Sequence, residues 1–172
     1  MKILVLALLL AQATPPFRPT DEQIARIEAR AAELEAQLAK TPAGLLKDDA
    51  AIHAKAARMM LRHREEFYRA DYVKHTLDTL DRGMAKLAGT APKGPRVCHA
   101  YRSRVDESLQ PYCLALPASY DPVKPVRLDV ILHGRNATLT EASFLATHET
   151  AKAVPSEQTW IELEVFGRTN NA

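Results

Sequence analysis

The stretch from Val126 to Arg135, V-R-L-D-V-I-L-H-G-R, constrains the fold of this chain more than any other. Leu128, Val130, Ile131 and Leu132 form a short apolar run with two β-branched members, set between Pro125 and Gly134. Such a run reads as a strand buried on both faces, as in a parallel sheet with helices above and below. It stops abruptly at His133-Gly134-Arg135. Thr138 and Glu141 then have the spacing of a capping box, so a helix is expected to start there. Strand, tight polar turn and helix is the arrangement that presents backbone N–H groups to a ligand at a strand's carboxyl end. His-Gly after a strand is by itself weak evidence, because most such pairs only turn the chain.

Strands are also expected on either side of this run. From Arg96 to Arg104, Val97, His99, Tyr101 and Ser103 alternate with Cys98, Ala100 and Arg102, and Gln110 to Leu116 reads as a second strand. Val105-Asp106-Glu107-Ser108 is the turn of an antiparallel hairpin between them. Folding the chain back there sets Cys98 nearly opposite Cys113, the chain's two cysteines, and they are read as a structural bridge. Neither has the His/Asn context of a catalytic thiol. Thr138 to about His148 is expected to be helical. Trp160 to Phe166 follows as a fourth strand, in which Ile161, Leu163 and Val165 alternate with Glu162 and Glu164. The last two strands joined by a helix make a βαβ unit. The fold class is therefore α/β, a hairpin plus βαβ over residues 96–172.

Residues 14–95 read differently. Thr20 and Gln23 form a capping box, and Ile24, Ile27, Ala31, Leu34 and Leu38 recur at steps of three and four. Thr41-Pro42-Ala43-Gly44 ends that helix. A second is expected after Asp48-Asp49, with Ile52, Ala56, Met59, Met60, His63 and Phe67 on one face. A third runs from about Asp71 with Val73, Leu77, Leu80, Met84 and Leu87 in line, and ends near Gly89. Three such helices pack on each other or on the neighbouring domain, or recruit a partner helix through their seam. His53, His63 and His75 are too far apart to share one helix face as ligands and are read as surface or half-buried residues. Pro92 to Pro95 marks the boundary.

The 172 residues are 47% hydrophobic and 26% charged, which suits a globular protein with a real core. A formal charge of +2, spread among acidic residues, gives no basis for nucleic-acid binding. There is no zinc-type Cys/His spacing and no phosphate-binding glycine loop, so no metal and no cofactor are implied. Lys2, the apolar run Ile3 to Leu10 and Ala11-Gln12-Ala13 have the form of an export signal over residues 1–13. The run is too short to span a bilayer, so no integral membrane segment is expected after cleavage, and the mature chain is expected to be secreted or periplasmic.

Taken together, Y-R-S-R-V-D-E-S-L-Q-P-Y, the P-A-S-Y-D-P loop, R-L-D-V-I-L-H-G-R, the T-L-T-E helix start and V-F-G-R-T-N-N-A resemble the N-terminal part of exported α/β-hydrolases. More narrowly, they resemble bacterial serine hydrolases with a prolyl-oligopeptidase-type catalytic domain, close to secreted esterases. The resemblance covers about Arg96 to Ala172, and less specifically the helical region. It implies a serine hydrolase cleaving ester or peptide bonds, in which the strand before His-Gly is the third of the sheet. The following turn supplies half of the oxyanion hole. The implied oxyanion and substrate loop is His133, Gly134 and Arg135: the Arg135 backbone N–H as donor, Gly134 allowing close approach, His133 ordering the loop. The Arg135 side chain either meets an anionic substrate group or is simply solvated.

The family's nucleophile sits on G-x-S-x-G after a fifth strand, with its acid and histidine later. Ser103, Ser108, Ser119, Ser143 and Ser156 lie in no such motif, and neither His133 nor His148 falls where the base would. No catalytic residue is therefore expected within the chain, which reads as a truncated sheet, inactive alone. The alternatives are a non-catalytic exported binding module and an inactive remnant. Asn136-Ala137-Thr138 matches a glycosylation acceptor, but a glycan there would block the loop, and the match is read as chance.

Overall fold

The computed structural model describes residues 17–91, 94–134, 136–150 and 152–167. The expected export signal lies outside the described residues. Helices α1 (Asp21–Lys40), α2 (Leu45–Arg62) and α3 (Asp71–Leu87) come first. Strands β1 (Arg96–Arg102), β2 (Leu109–Ala115) and β3 (Leu128–Leu132), helix α4 (Glu141–His148) and strand β4 (Ile161–Val165) follow. Together they form a mixed α/β structure.

Helix α1 starts where its capping box predicts. Thr20 Oγ1 accepts the Gln23 N–H, and the Gln23 side chain accepts the Thr20 N–H. Its buried residues are the expected seam of Ile24, Ile27, Ala31, Leu34 and Leu38. The second helix begins earlier than expected, directly after Gly44. Its first turn carries Leu45 and Leu46, which are exposed and so break the apolar period that marks the rest. His53 is a correction. Expected at the surface or half-buried, it is fully buried, where α3 crosses α2 at Gly83. A Cβ at Gly83 would stand 2.9 Å from His53 Cβ and 2.7 Å from Leu34 Cδ2, so only glycine lets the helices approach this closely. Helix α3 also buries Tyr72, Thr76 and Thr79, a second face that an apolar count does not find.

The sheet has the order β1-β2-β4-β3. Strands β1 and β2 form the expected antiparallel hairpin, β4 adds antiparallel to β2, and β3 runs parallel to β4. The pairing sets Val97, Leu114, Leu163 and Val130 in one row across the sheet, and His99, Tyr112, Val165 and Leu132 in a second row on the same face. Cys98, Cys113 and Glu164 face the other way. Cys98 and Cys113, both buried, are joined by a disulfide between directly opposed residues whose Cα atoms are 4.0 Å apart. The helices cover this cysteine face: one continuous core runs from Ile24 through the helices, both cysteines and Phe144 to Phe166.

Strand β3 departs from its expected burial on both faces. Leu128, Val130, Ile131 and Leu132 are 51, 55, 40 and 74% exposed. The physical reason is position. β3 lies at the edge of the sheet and, among the described elements, touches only β4.

Two lysines bind the helical layer to the rest of the chain. Lys55 of α2 donates to the Leu109 carbonyl at 2.5 Å and pairs with Glu141 of α4 at 3.0 Å. Lys86 of α3 donates to the Cys98 carbonyl at 2.7 Å and pairs with Glu149, just beyond α4, at 2.5 Å. Each ammonium thus joins a hairpin carbonyl to a carboxylate at one end of α4. Burial pushes the Glu141 carboxyl above its ordinary range, with Lys55 pulling the other way.

Candidate functional site

The loop from His133 to Thr140 leaves the carboxyl end of β3 and leads into α4. Its entrance is fixed by His133. The ring Nε2 lies 2.7 Å from the Phe166 carbonyl oxygen, at the end of β4, and Nδ1 lies 2.9 Å from the Gly134 carbonyl. Carbonyls only accept, so donation on both sides requires the doubly protonated ring. The hydrogen bonds to Phe166 and then to Gly134 accordingly raise the His133 pKa above the ordinary histidine value, against a small opposing effect of burial. A ring held in this way orders the loop and is poorly placed to act as a general base.

At the far end of the loop the chain turns around Asn136. The Asn136 Oδ1 accepts the Thr138 N–H at 3.1 Å and the Thr138 hydroxyl at 3.2 Å, while the Leu139 N–H reaches the Asn136 carbonyl. This side-chain turn uses Thr138, so the cap of α4 is not the expected Thr138–Glu141 pair. Thr140 caps instead: its Oγ1 accepts the Ser143 N–H, and Ser143 Oγ accepts the Thr140 N–H. Glu141 is then free to enter the buried pair with Lys55.

Gly134 has open space where a Cβ would project, with no atom within 4 Å. Arg135, which carries the expected N–H donor, lies outside the described residues; its neighbours on both sides are described. The cysteines sit apart from the loop. They bridge β1 and β2, at the opposite end of the sheet from β3. His148 pairs with Glu164 of β4 at 2.7 Å and contacts the Phe144 carbonyl at 2.8 Å, tying α4 to the sheet.

Tyr72 is the residue near this loop that sequence reasoning missed. It lies in the first turn of α3, is 3% exposed, and its hydroxyl donates to the Thr138 carbonyl at 2.5 Å. A tyrosine beside an apolar seam carries no sequence signal for such a contact. An open cavity of about 420 Å³, lined by Phe17, Pro19, Ile24 and Arg64 among others, lies at the start of α1 and shares no residue with the loop. Among the described residues no group of three His, Cys, Asp or Glu side chains could hold a metal ion. No helix among them is long and apolar enough to cross a membrane. No family model matches the chain, and no curated protein or solved structure shows a significant similarity to it.

Proposed function

We propose that this chain supplies the oxyanion-loop half of an exported serine hydrolase acting on ester or peptide bonds. The observation that carries the reading is the exposed β3 side of the sheet. β3 has an apolar row and an open edge, next to a loop that is pinned at both ends. In α/β-hydrolases the third strand pairs with the fourth on one side and a fifth on the other. The order β2-β4-β3 with nothing described beyond β3 is compatible with that scheme. The nucleophile, acid and histidine would come from strands added at this edge. The loop would contribute the Arg135 backbone N–H to the developing oxyanion, a contribution worth roughly 2.7–4 kcal/mol of barrier in serine proteases. The disulfide supports an oxidising, exported setting. A second reading rests on the same edge: a non-catalytic module that captures an extended peptide as an added strand.

The test uses protein captured from its native source with an antibody against residues 21–40, beside the isolated 172-residue chain. The native material is expected to hydrolyse a short-chain nitrophenyl ester and to label with a fluorophosphonate, while the isolated chain does neither. Arg135→Pro, which removes the donor, should lower the native rate roughly 10²–10³-fold. Native material that is inert to both probes yet carries a bound peptide favours the binding module. Turnover by the isolated chain that Arg135→Pro abolishes would place a complete site within these residues and overturn the proposal.

A further inference from the structure

Helix α3 meets the loop-and-α4 segment through three polar side chains, at positions 72, 79 and 82. Tyr72 Oη donates to the Thr138 carbonyl, Thr79 Oγ1 to the Ala142 carbonyl at 3.3 Å, and Arg82 Nη1 to the Leu145 and Ala146 carbonyls at 3.0 and 3.1 Å. The spacing puts all three on one face of the helix. Each takes a backbone acceptor, so the contact fixes where the segment lies without involving its side chains. Two of the three contacts land on α4, whose position is also set by Lys55, Lys86 and the Phe144–Phe166 packing. Tyr72 alone reaches the loop.

The loop is also held by its own Asn136 turn, by Leu139 packed against the core and, at the entrance, by His133 on Phe166. Between the two anchors stand Gly134 and Arg135. From this arrangement we infer that Tyr72 is a positioning residue. Its buried hydroxyl holds the exit of the loop at Thr138, and the helical region serves as a brace for the loop. The anchoring stands on the hydrogen bonds alone. Its value to an oxyanion rests on the proposed hydrolase reading.

Tyr72→Phe tests this without emptying the core, because it removes only the hydroxyl. Thr79→Val is the control: it also removes a hydrogen bond from α3 to this segment, but on α4. In hydrogen exchange on the full chain, Tyr72→Phe should speed exchange of the amides of residues 134–139 about five- to tenfold. Thr79→Val should leave them unchanged, and both should unfold at similar temperatures. Incorporating 3-fluorotyrosine at position 72, which keeps the shape and strengthens the donor, should slow the same amides, and it serves if Tyr72→Phe fails to fold. Equal loop exchange in all three proteins overturns the inference, as does an equal rise in both variants. In the native-source esterase, Tyr72→Phe should lower kcat and spare KM. An exchange effect in a protein without esterase activity would refute the hydrolase reading and leave the brace standing.

Discussion

Along β1, the backbone groups that face away from β2 are met by side chains from three elements. The Cys98 N–H reaches Glu149 at 3.4 Å, the Cys98 carbonyl takes Lys86, and the Ala100 N–H donates to Asp49 at 2.8 Å. Along β3, at the other edge, no element but β4 makes contact among the described residues, and Leu132 is 74% exposed. Yet β3 has the more apolar sequence of the two. Burial is decided by what lies over a strand, and an edge strand left bare is a template for another chain. The covered edge belongs to the continuous core, while the bare one leaves an apolar strand exposed.

The largest expected effect is on the covered side. Replacing both cysteines by alanine releases a loop of 15 residues and should destabilise the protein by about 3 kcal/mol in urea unfolding. A loss under about 1 kcal/mol would mean that the bridge adds little to an edge already held by Asp49, Lys86 and Glu149.

Two glycines give the next contrast. Gly83→Ala forces a Cβ against His53 and Leu34, and should cost about 1–2 kcal/mol despite alanine's better helix propensity. Gly134→Ala points into open space and should stay within about 0.5 kcal/mol of wild type. Equal effects at the two positions would erase the distinction between packed and open sides.

A smaller effect is expected from pH. Burial first, then the nearby Lys86 and Arg82, hold the His53 pKa well below its usual value. The Glu149 carboxylate 3.4 Å away would oppose this, but it is already paired with Lys86. A depressed folded pKa means that the unfolded chain binds the proton more readily. His53 therefore contributes stability above pH about 6.5 that is lost as the pH falls from there toward the folded value. His53→Gln should flatten that part of the stability profile, and an unchanged slope would assign it to other groups. Smallest of all, Leu132→Lys should leave urea stability within about 0.5 kcal/mol while reducing self-association in sedimentation. Association that is indifferent to this charge would show that copies do not meet at β3.

Local rules carried much of the fold. The seam and cap of α1, the hairpin, and the Cys98–Cys113 pairing each follow from spacings within one helix or one hairpin, and the sequence displays them. The burial of His53 depends on Gly83, thirty positions later, and the exposure of β3 depends on which elements cover it. Neither is local. Of the loop, the end of β3 at His133-Gly134 was legible because a strand end followed by His-Gly is a local pattern. The Tyr72 anchor and the Phe166 acceptor were not, since each comes from a distant element and acts through or on a backbone carbonyl that no side-chain pattern records.

Because Cys98 and Cys113 are direct opposites, their bond also counts residues. A slip of one position would turn the hairpin over and offer Val97, His99 and Tyr101 to the helices in place of Cys98 and Ala100. A slip of two would keep the faces but draw the sulfurs about 7 Å apart along the strand, beyond bridging. Only one alignment can oxidise. Closing the bond therefore proofreads the hairpin, and once it is closed the small side chains of Cys98, Ala100, Pro111 and Ala115 are committed to the helical side.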